Sequence, residues 1–447
     1  MGYNWHELFL MLLDTEISVK GHVPSKYNVL CATESGVVLL YNLLYKQLIE
    51  LEKDELAIIE REMINPESSL GKMLVEMRFF ISENEDELEY YKYYYNKSHF
   101  DQSVLSLSIL TTLACNLSCP YCYESKNGSY MKETTANQVI EWVAKQIKGK
   151  QALSVNWFGG EPLLNLGVMQ KLSDAFISLC NEANVRYIAG ITTNGCLLTP
   201  EMVEAIEKIN VFNVQVTFDG SEFYHNKMKY LSKGEGSYNK IVSNIINYCA
   251  VSKSHNPLRI RINVSDENFE SIELLLDQLP DIVREHSSVF FRWVYPTETS
   301  GWKEYSKEKA GQTPYKGIYY LLKMAHEKGY HIENRCESNN YCFCEADNPC
   351  FYTIDPEGNL YLCVHDYKPE FSIGNVSEGI APINQSQYFS FRNVTILDDE
   401  ECMKCKVLPI CNGGCRKFRF EGKKQCIFEK DNLDLYVENL YHKYLYV

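Results

Sequence analysis

No apolar run in the sequence approaches the roughly 18 residues that a membrane-crossing helix requires. The first twenty residues, MGYNWHELFLMLLDTEISVK, lack both the basic start and the small-residue cleavage site of a secretory signal. Basic residues are in short supply: 44 Lys and Arg stand against 59 Asp and Glu, a net charge of −15. A field of that sign repels nucleic acid and anionic membrane, so neither is an expected partner. No internal repeat or low-complexity tract is evident. These absences lead to the expectation of a cytoplasmic globular protein, and the length of 447 residues to that of two or three domains.

What the chain does have is 17 cysteines. In a reducing compartment disulfide staples are disfavoured, and metal binding becomes the expectation. Cys31, Cys180, Cys196 and Cys249 are scattered singly in apolar contexts and read as small buried hydrophobes. The other thirteen fall in two groups, Cys115, Cys119 and Cys122 first, then ten from Cys336 to Cys426. The first group lies in CNLSCPYCYE, three thiols within eight residues. Three thiolates can hold a [4Fe–4S] cube and leave one iron open. They can equally hold zinc with a vacant fourth position, and spacing alone does not separate the two.

Residues 1–100 contain a strand-like run, KYNVLCATESGVVLLYN, then the helical patterns ELAIIEREM and GKMLVEMRFFI. The acidic, tyrosine-rich stretch SENEDELEYYKYYYNKSHFD, Ser82 to Asp101, reads as a solvated connector to the next domain with some aromatic packing. From Val104 strands and helices alternate through six βα units, the last being SVFFRWVYP with YKGIYYLLKMAHEKG. That rhythm predicts a parallel sheet, open and doubly wound or curved into a partial barrel. The cysteine loop follows the first strand, at the rim where parallel barrels place their sites. After the second strand comes FGGEP, where Gly159 and Gly160 allow close backbone approach and Glu161 can accept hydrogen bonds from an ammonium group. Beyond about Gly329 the chain is cysteine-rich and turn-rich, and is expected to depend on metal to fold.

CNLSCPYC with FGGEP, then TTNG (Thr192 to Gly195), TFDG (Thr217 to Gly220) and RINV (Arg261 to Val264), resembles the radical S-adenosylmethionine (AdoMet) superfamily. The resemblance implies an α/β fold with a partial (β/α)6 TIM barrel. It makes Cys115, Cys119 and Cys122 the ligands of a [4Fe–4S] cluster whose open iron takes the amino and carboxylate groups of AdoMet. It puts Tyr121 near the adenine, Gly160 and Glu161 at the methionine amino group, and Thr217 at the ribose, with Gly159 and Asn263 among the cofactor contacts. The stretch DGSEFYHNKMKYLSKGEGSY resembles a family segment with an HDxxR core whose arginine reaches the AdoMet carboxylate. Here Lys229 stands in the arginine's place and Asn226 in the aspartate's. A lysine keeps the charge and loses the planar fork.

The second cysteine group resembles the SPASM extension of the same superfamily. It carries Cys350, Gly358 with Cys363, then Cys402, Cys405, Cys411, Cys415 and Cys426. With Cys344 the set is eight thiolates, enough for two auxiliary [4Fe–4S] clusters and so three clusters in all. The family's interleaving implies Cys344, Cys350, Cys363 and Cys415 for one and Cys402, Cys405, Cys411 and Cys426 for the other. Cys342 can replace Cys344, and Cys336 is spare. A four-cysteine zinc knot at CMKC with CNGGC is the alternative. The resemblance thus divides the chain into 1–100, 101–329 and 330–447.

Two SPASM groups compete for the function. Maturases of ribosomally made peptides install thioether or carbon–carbon links, and many carry a small leader-binding domain before the barrel. Residues 1–100 loosely resemble that PqqD-like winged fold, which binds the leader of a precursor peptide as an added strand. Anaerobic sulfatase-maturating enzymes instead have a catalytic aspartate directly after the cysteine that matches Cys363, where this chain has Val364, with Asp366 two further on. On an extended strand that displacement is roughly 7 Å, which argues against formylglycine formation. The expectation is therefore a peptide maturase forming a thioether from a peptide cysteine, with an electron donor such as flavodoxin or ferredoxin. A non-enzymatic electron-transfer or zinc-binding scaffold is the reading from another class.

Overall fold

The computed structural model of the chain describes residues 21–33, 35–52, 55, 65, 67–124, 128–294, 315–333 and 341–444. The helical pattern ELAIIEREM, apart from its first residue, and Cys336 lie outside them. Among the described residues no helix is long and apolar enough to cross a membrane. The chain divides into two compact units.

The smaller unit comprises residues 1–99, 335–343 and 394–447. Its strands β2 (Asn28–Ala32), β3 (Val38–Asn42) and β4 (Leu48–Leu51) form an antiparallel meander, while β1 (His22–Pro24) pairs antiparallel with β5 (Phe80–Ser82). All five residues of β3 are buried, which a strand sustains when both its faces are covered. Val38 and Leu40 join a cluster with Leu51, Leu74, Phe79 and Phe80. Tyr41, on the opposite face, meets Tyr436 of the helix Leu433–Tyr444 with ring centroids 6.0 Å apart.

The tyrosine-rich stretch read as a solvated connector is instead a helix, Glu87–His99, with Tyr91 and Tyr95 buried. Asp86 Oδ1 accepts the N–H groups of Leu88 and Glu89 at 2.9 and 3.1 Å, capping its start. Glu87 and Glu89 occupy the first turn and Lys97 the last, each sign suiting the helix dipole. Tyr91 Oη donates to Asn412 Oδ1 at 3.0 Å. The charge of this stretch concealed an apolar stripe spaced four residues apart.

The larger unit comprises residues 100–334 and 344–393. Strands β6 (Val104–Thr112), β7 (Ala152–Gly159), β8 (Arg186–Thr193), β9 (Val211–Phe218), β10 (Leu258–Val264) and β11 (Ser287–Trp293) lie side by side in sequence order, all parallel. Each is followed by a helix, as expected for six βα units. Burial alternates along the strands: Leu153, Val155 and Trp157 are buried, and Trp157 stacks on Phe176 of the helix Leu166–Ala183. Asn156, Asn213, Gln215, Thr217, Arg259 and Arg261 occupy the other face, which is polar and less buried.

The region beyond Gly329 holds more regular structure than its composition suggested. β12 (His331–Ile332) extends the sheet beside β11, and β13 (Phe351–Ile354) pairs in parallel with β6 at the opposite edge. An antiparallel meander follows through β14 (Asn359–Tyr361), β15 (Gly374–Asn375) and β16 (Gly379–Ile380). These strands are two to four residues long, too short for a period-2 pattern to register, and β14, β15 and β16 each carry Gly or Asn.

Candidate active site

Cys115, Cys119 and Cys122 sit on the loop leaving β6, each partly exposed. Backbone pairing fixes this loop: Leu117 bridges Leu231, Ser118 N–H donates to Tyr230 O at 2.9 Å, and Ser232 N–H donates to Asn116 O at 3.3 Å. Cys115 Sγ accepts from Leu117 N–H at 3.4 Å and from Asn194 Nδ2 at 3.8 Å, and Asn194 Nδ2 also reaches Asn116 Oδ1 at 2.7 Å. Donors aimed at a sulfur favour the thiolate that a metal requires. The three thiols, close in sequence and supported from the protein side, fit an iron–sulfur cluster.

Gly159 and Gly160 are required by close approach. Gly159 has φ +117°, and a Cβ there would lie 2.3 Å from Thr112 O; one at Gly160 would lie 2.2 Å from Ala114 O. The two glycines thus lay the β7 loop directly against the cysteine loop, with Gly160 N–H donating to Thr112 O at 3.0 Å and Glu161 N–H to Ala114 O at 2.9 Å. Gly159→Ala is expected to cost on the order of 1–3 kcal/mol through backbone strain and to displace the cysteine loop. A lowered urea midpoint with weakened cluster retention checks it.

Glu161 is wholly buried, and its carboxylate accepts from three protein donors, the Thr193 hydroxyl being shared between its two oxygens. Leu163 N–H and Thr193 Oγ1 reach Oε1 at 3.1 and 2.9 Å, and Thr193 Oγ1 and Asn194 N–H reach Oε2 at 3.0 and 2.8 Å. Burial pushes its pKa up, against the opposing pull of the Asn194 N–H and the other donors. The expected ammonium acceptor is thus engaged by the protein, tying the loop after β7 to the loop after β8.

A second network crosses the strand ends. Tyr121 Oη donates to the Asp219 carboxylate at 2.9 and 3.0 Å and accepts from Asn263 Nδ2 at 3.2 Å, while Arg261 Nε donates to Asn263 Oδ1 at 2.9 Å. Asn268 Nδ2 donates to Asp219 O and Asn263 O, joining the ends of β9 and β10. Burial raises the pKa of Asp219, with the Lys229 ammonium pulling the other way. Asp219, Thr193, Asn194 and Asn268 were not among the expected site residues. The motifs TFDG and TTNG contained three of them, but a side chain that holds other side chains leaves no spacing signature.

Lys229 is 5% exposed, with its ammonium donating to the backbone oxygen of Thr217 at 3.2 Å. Its charge acts on both Glu161 and Asp219. His225, in the same stretch, is buried, and burial with the Lys229 charge holds its pKa well below the ordinary value. As a neutral ring it accepts from Asp219 N–H at Nδ1 and pairs through Nε2 with Ser237 Oγ at 3.0 Å. Asn226 Oδ1 accepts the Tyr238 N–H at 2.9 Å, a cap on the helix Tyr238–Val251.

Among the other cysteines, Cys402, Cys405, Cys411 and Cys426 line one small pocket in the smaller unit, walled also by Val407 and Leu408. Burial pushes the Cys411 thiol up, and N–H groups of Ile427 and Gly413 oppose that shift. Four sulfurs converging on one pocket fit a fully ligated cluster. Cys344, Cys350 and Cys363 belong to the larger unit, while Cys415 and the alternative ligand Cys342 belong to the smaller. Cys344 and Cys350 flank a short turn, Glu345–Asp347, and Lys150 Nζ donates to Cys350 Sγ at 3.2 Å. Cys180 and Cys196 are buried as expected, and Cys31 and Cys249 partly so. Asp366 does not lie along an extended strand from Cys363: β14 ends at Tyr361, and Asp366 N–H folds back to Cys363 O at 3.2 Å. The roughly 7 Å displacement expected of a strand therefore does not apply.

Residues 109–279 match the Radical SAM superfamily, and residues 344–406 the SPASM iron–sulfur cluster-binding domain. The radical SAM cyclopropyl synthase TigE of Paramaledivibacter caminithermalis is 20% identical over 445 residues, covering 91% of this chain and 89% of TigE. A cysteine-type anaerobic sulfatase-maturating enzyme of Clostridium novyi is 22% identical, covering 70% of this chain and 88% of its own. The solved structure of anSMEcpe with bound AdoMet shares the fold at a TM-score of 0.55 and 19% identity, over 76% of this chain and 93% of that one. The two matched domains imply iron–sulfur clusters and AdoMet binding. The chain is a radical SAM enzyme with a SPASM domain, in the family that includes peptide and sulfatase maturases.

Proposed function

We propose that the enzyme is a peptide maturase with three [4Fe–4S] clusters, which installs an intramolecular link in a ribosomally made precursor peptide. Cys115, Cys119 and Cys122 hold the cluster that binds AdoMet. When bound, that pair supplies a 5′-deoxyadenosyl radical able to abstract a substrate hydrogen. Lys229, the buried cation of the site, meets the AdoMet carboxylate. The Gly159–Gly160 backbone meets the amino group, with Glu161 bracing the loop that follows it through its three donors, Leu163, Thr193 and Asn194. Tyr121, held by Asp219 and Asn263, borders the adenine, and Thr217 the ribose.

The observation that carries the peptide reading is coverage. TigE matches 91% of this chain, and the 347 of 447 residues from 101 onward cannot supply that share, so the first hundred residues take part. The C. novyi sulfatase-maturating enzyme matches 70%. In the N-terminal region the meander β2–β3–β4 has two edges, β2 and β4, at which a leader peptide could add as a strand. Thioether formation removes one hydrogen atom and one thiol proton from the peptide and passes one electron to an acceptor. The name of TigE favours a second reading, carbon–carbon ring closure.

Incubating the reconstituted enzyme with AdoMet, strong reductant and the short peptide encoded beside it tests these readings. A product lighter by two hydrogens supports a maturase; a blocked thiol identifies a thioether, and an alkylatable thiol the carbon–carbon link. An unmodified peptide together with formylglycine on a sulfatase peptide would overturn both. About twelve irons per chain are expected, at four per cube, and about four would sink the three-cluster count.

A further inference from the structure

Resting on the three-cluster reading, we infer that Arg419 and Lys430 are redox-positioning residues, which raise the reduction potential of the cluster held by Cys402, Cys405, Cys411 and Cys426. Arg419 Nη2 donates to Cys402 Sγ at 3.2 Å, and Lys430 Nζ to Cys426 Sγ at 3.8 Å. Both line the pocket with the four thiols. The arginine also acts electrostatically on Cys411 and the lysine on Cys405, beyond the sulfurs that they touch.

The arginine is locked in place. Its Nε donates to Gly413 O, and its Nη1 lies 3.6 Å from Asp399 Oδ2. Asp399 in turn caps the helix Glu400–Met403 by accepting the Cys402 N–H at 3.0 Å. Gly413 has φ +86°, and its Cβ would lie 1.8 Å from Ile396, so this turn admits no side chain. Lys430 is more exposed and shares Glu401 with Lys424. A guanidinium held by two separate groups against a cysteine sulfur is a preorganised donor, and the desolvated position strengthens its field.

The sign follows from charge. A cube with four thiolates carries two negative charges when oxidised and three when reduced, counting a [4Fe–4S] core that passes from 2+ to 1+. A fixed cation stabilises the more negative form, which raises the potential. An electron released in the reaction then finds its lower-energy resting place here, near Cys426, the one exposed thiol of the four.

The test is an EPR-monitored redox titration of the reconstituted holoprotein. Arg419→Gln is expected to make reduction of this cluster about tenfold less favourable, a fall of about 59 mV for one electron. Lys430→Gln, at an exposed position, should shift it in the same direction by less, and Arg419→Lys should restore part of the loss. An unchanged or raised midpoint in both glutamine variants would overturn the inference. Should Arg419→Gln lose the cluster, Lys430→Gln with full iron content decides. Failure of the underlying reading shows differently: Cys405→Ala would then leave the iron content at its wild-type value.

Discussion

Replacing Cys115 with Ala is expected to bring 5′-deoxyadenosine formation to the level of an enzyme-free control and to remove about four of about twelve irons. The loss should be total because the sulfur serves twice. It would be one of three ligands to a cluster with no fourth protein ligand, and it is the acceptor toward which Leu117 N–H and Asn194 Nδ2 point. Two ligands on one loop do not retain a cube against chelators. Iron analysis, the cluster absorbance and chromatography of the nucleoside product check this together. A variant that kept its iron and still cleaved AdoMet would remove Cys115 from the site.

The second large effect is on stability. Glu161→Ala would strand the Leu163 N–H and the Thr193 hydroxyl, both buried, and the partly buried Asn194 N–H. Each buried donor left unpaired costs about 1–3 kcal/mol, so the three together come to roughly 3–9 kcal/mol. That is a large fraction of the roughly 5–15 kcal/mol that holds a typical domain folded. The variant should accumulate poorly, unfold at a markedly lower urea concentration and fail to hold the cysteine loop. Glu161→Gln keeps one acceptor oxygen and should fall between. An unchanged midpoint for the alanine variant would show that water replaces the lost acceptor.

The barrel was legible because its strands are long and buried on the helix side, so six runs from Val104 to Trp293 each registered. The three-cysteine loop was legible because its residues are neighbours in sequence. Glu161 was found, but its partners Thr193 and Asn194 lie over thirty residues away and were seen only as a motif. Asp219 escaped for the same reason, since what it holds, Tyr121, is 98 residues distant. The helix Glu87–His99 was misread because Glu and Lys around the tyrosines outweighed the spacing of Tyr91 and Tyr95. At Asp366 the error was local: a turn replaced the strand on which the displacement had been reckoned.

The pairing of β13 with β6 bears on how the chain reaches this state. Ser106 waits for Phe351, about 245 residues later, before the ladder on its open side can form. Until then the strand that leads into the cysteine loop is an edge, with unpaired N–H and C=O groups facing outward. Contacts of such long sequence separation form slowly, because a large loop must close before they are rewarded. The segment from Phe351 onward thus acts late in folding as the seal on the first barrel strand. A nascent chain ending before Phe351 would leave that strand exposed as a template for aggregation.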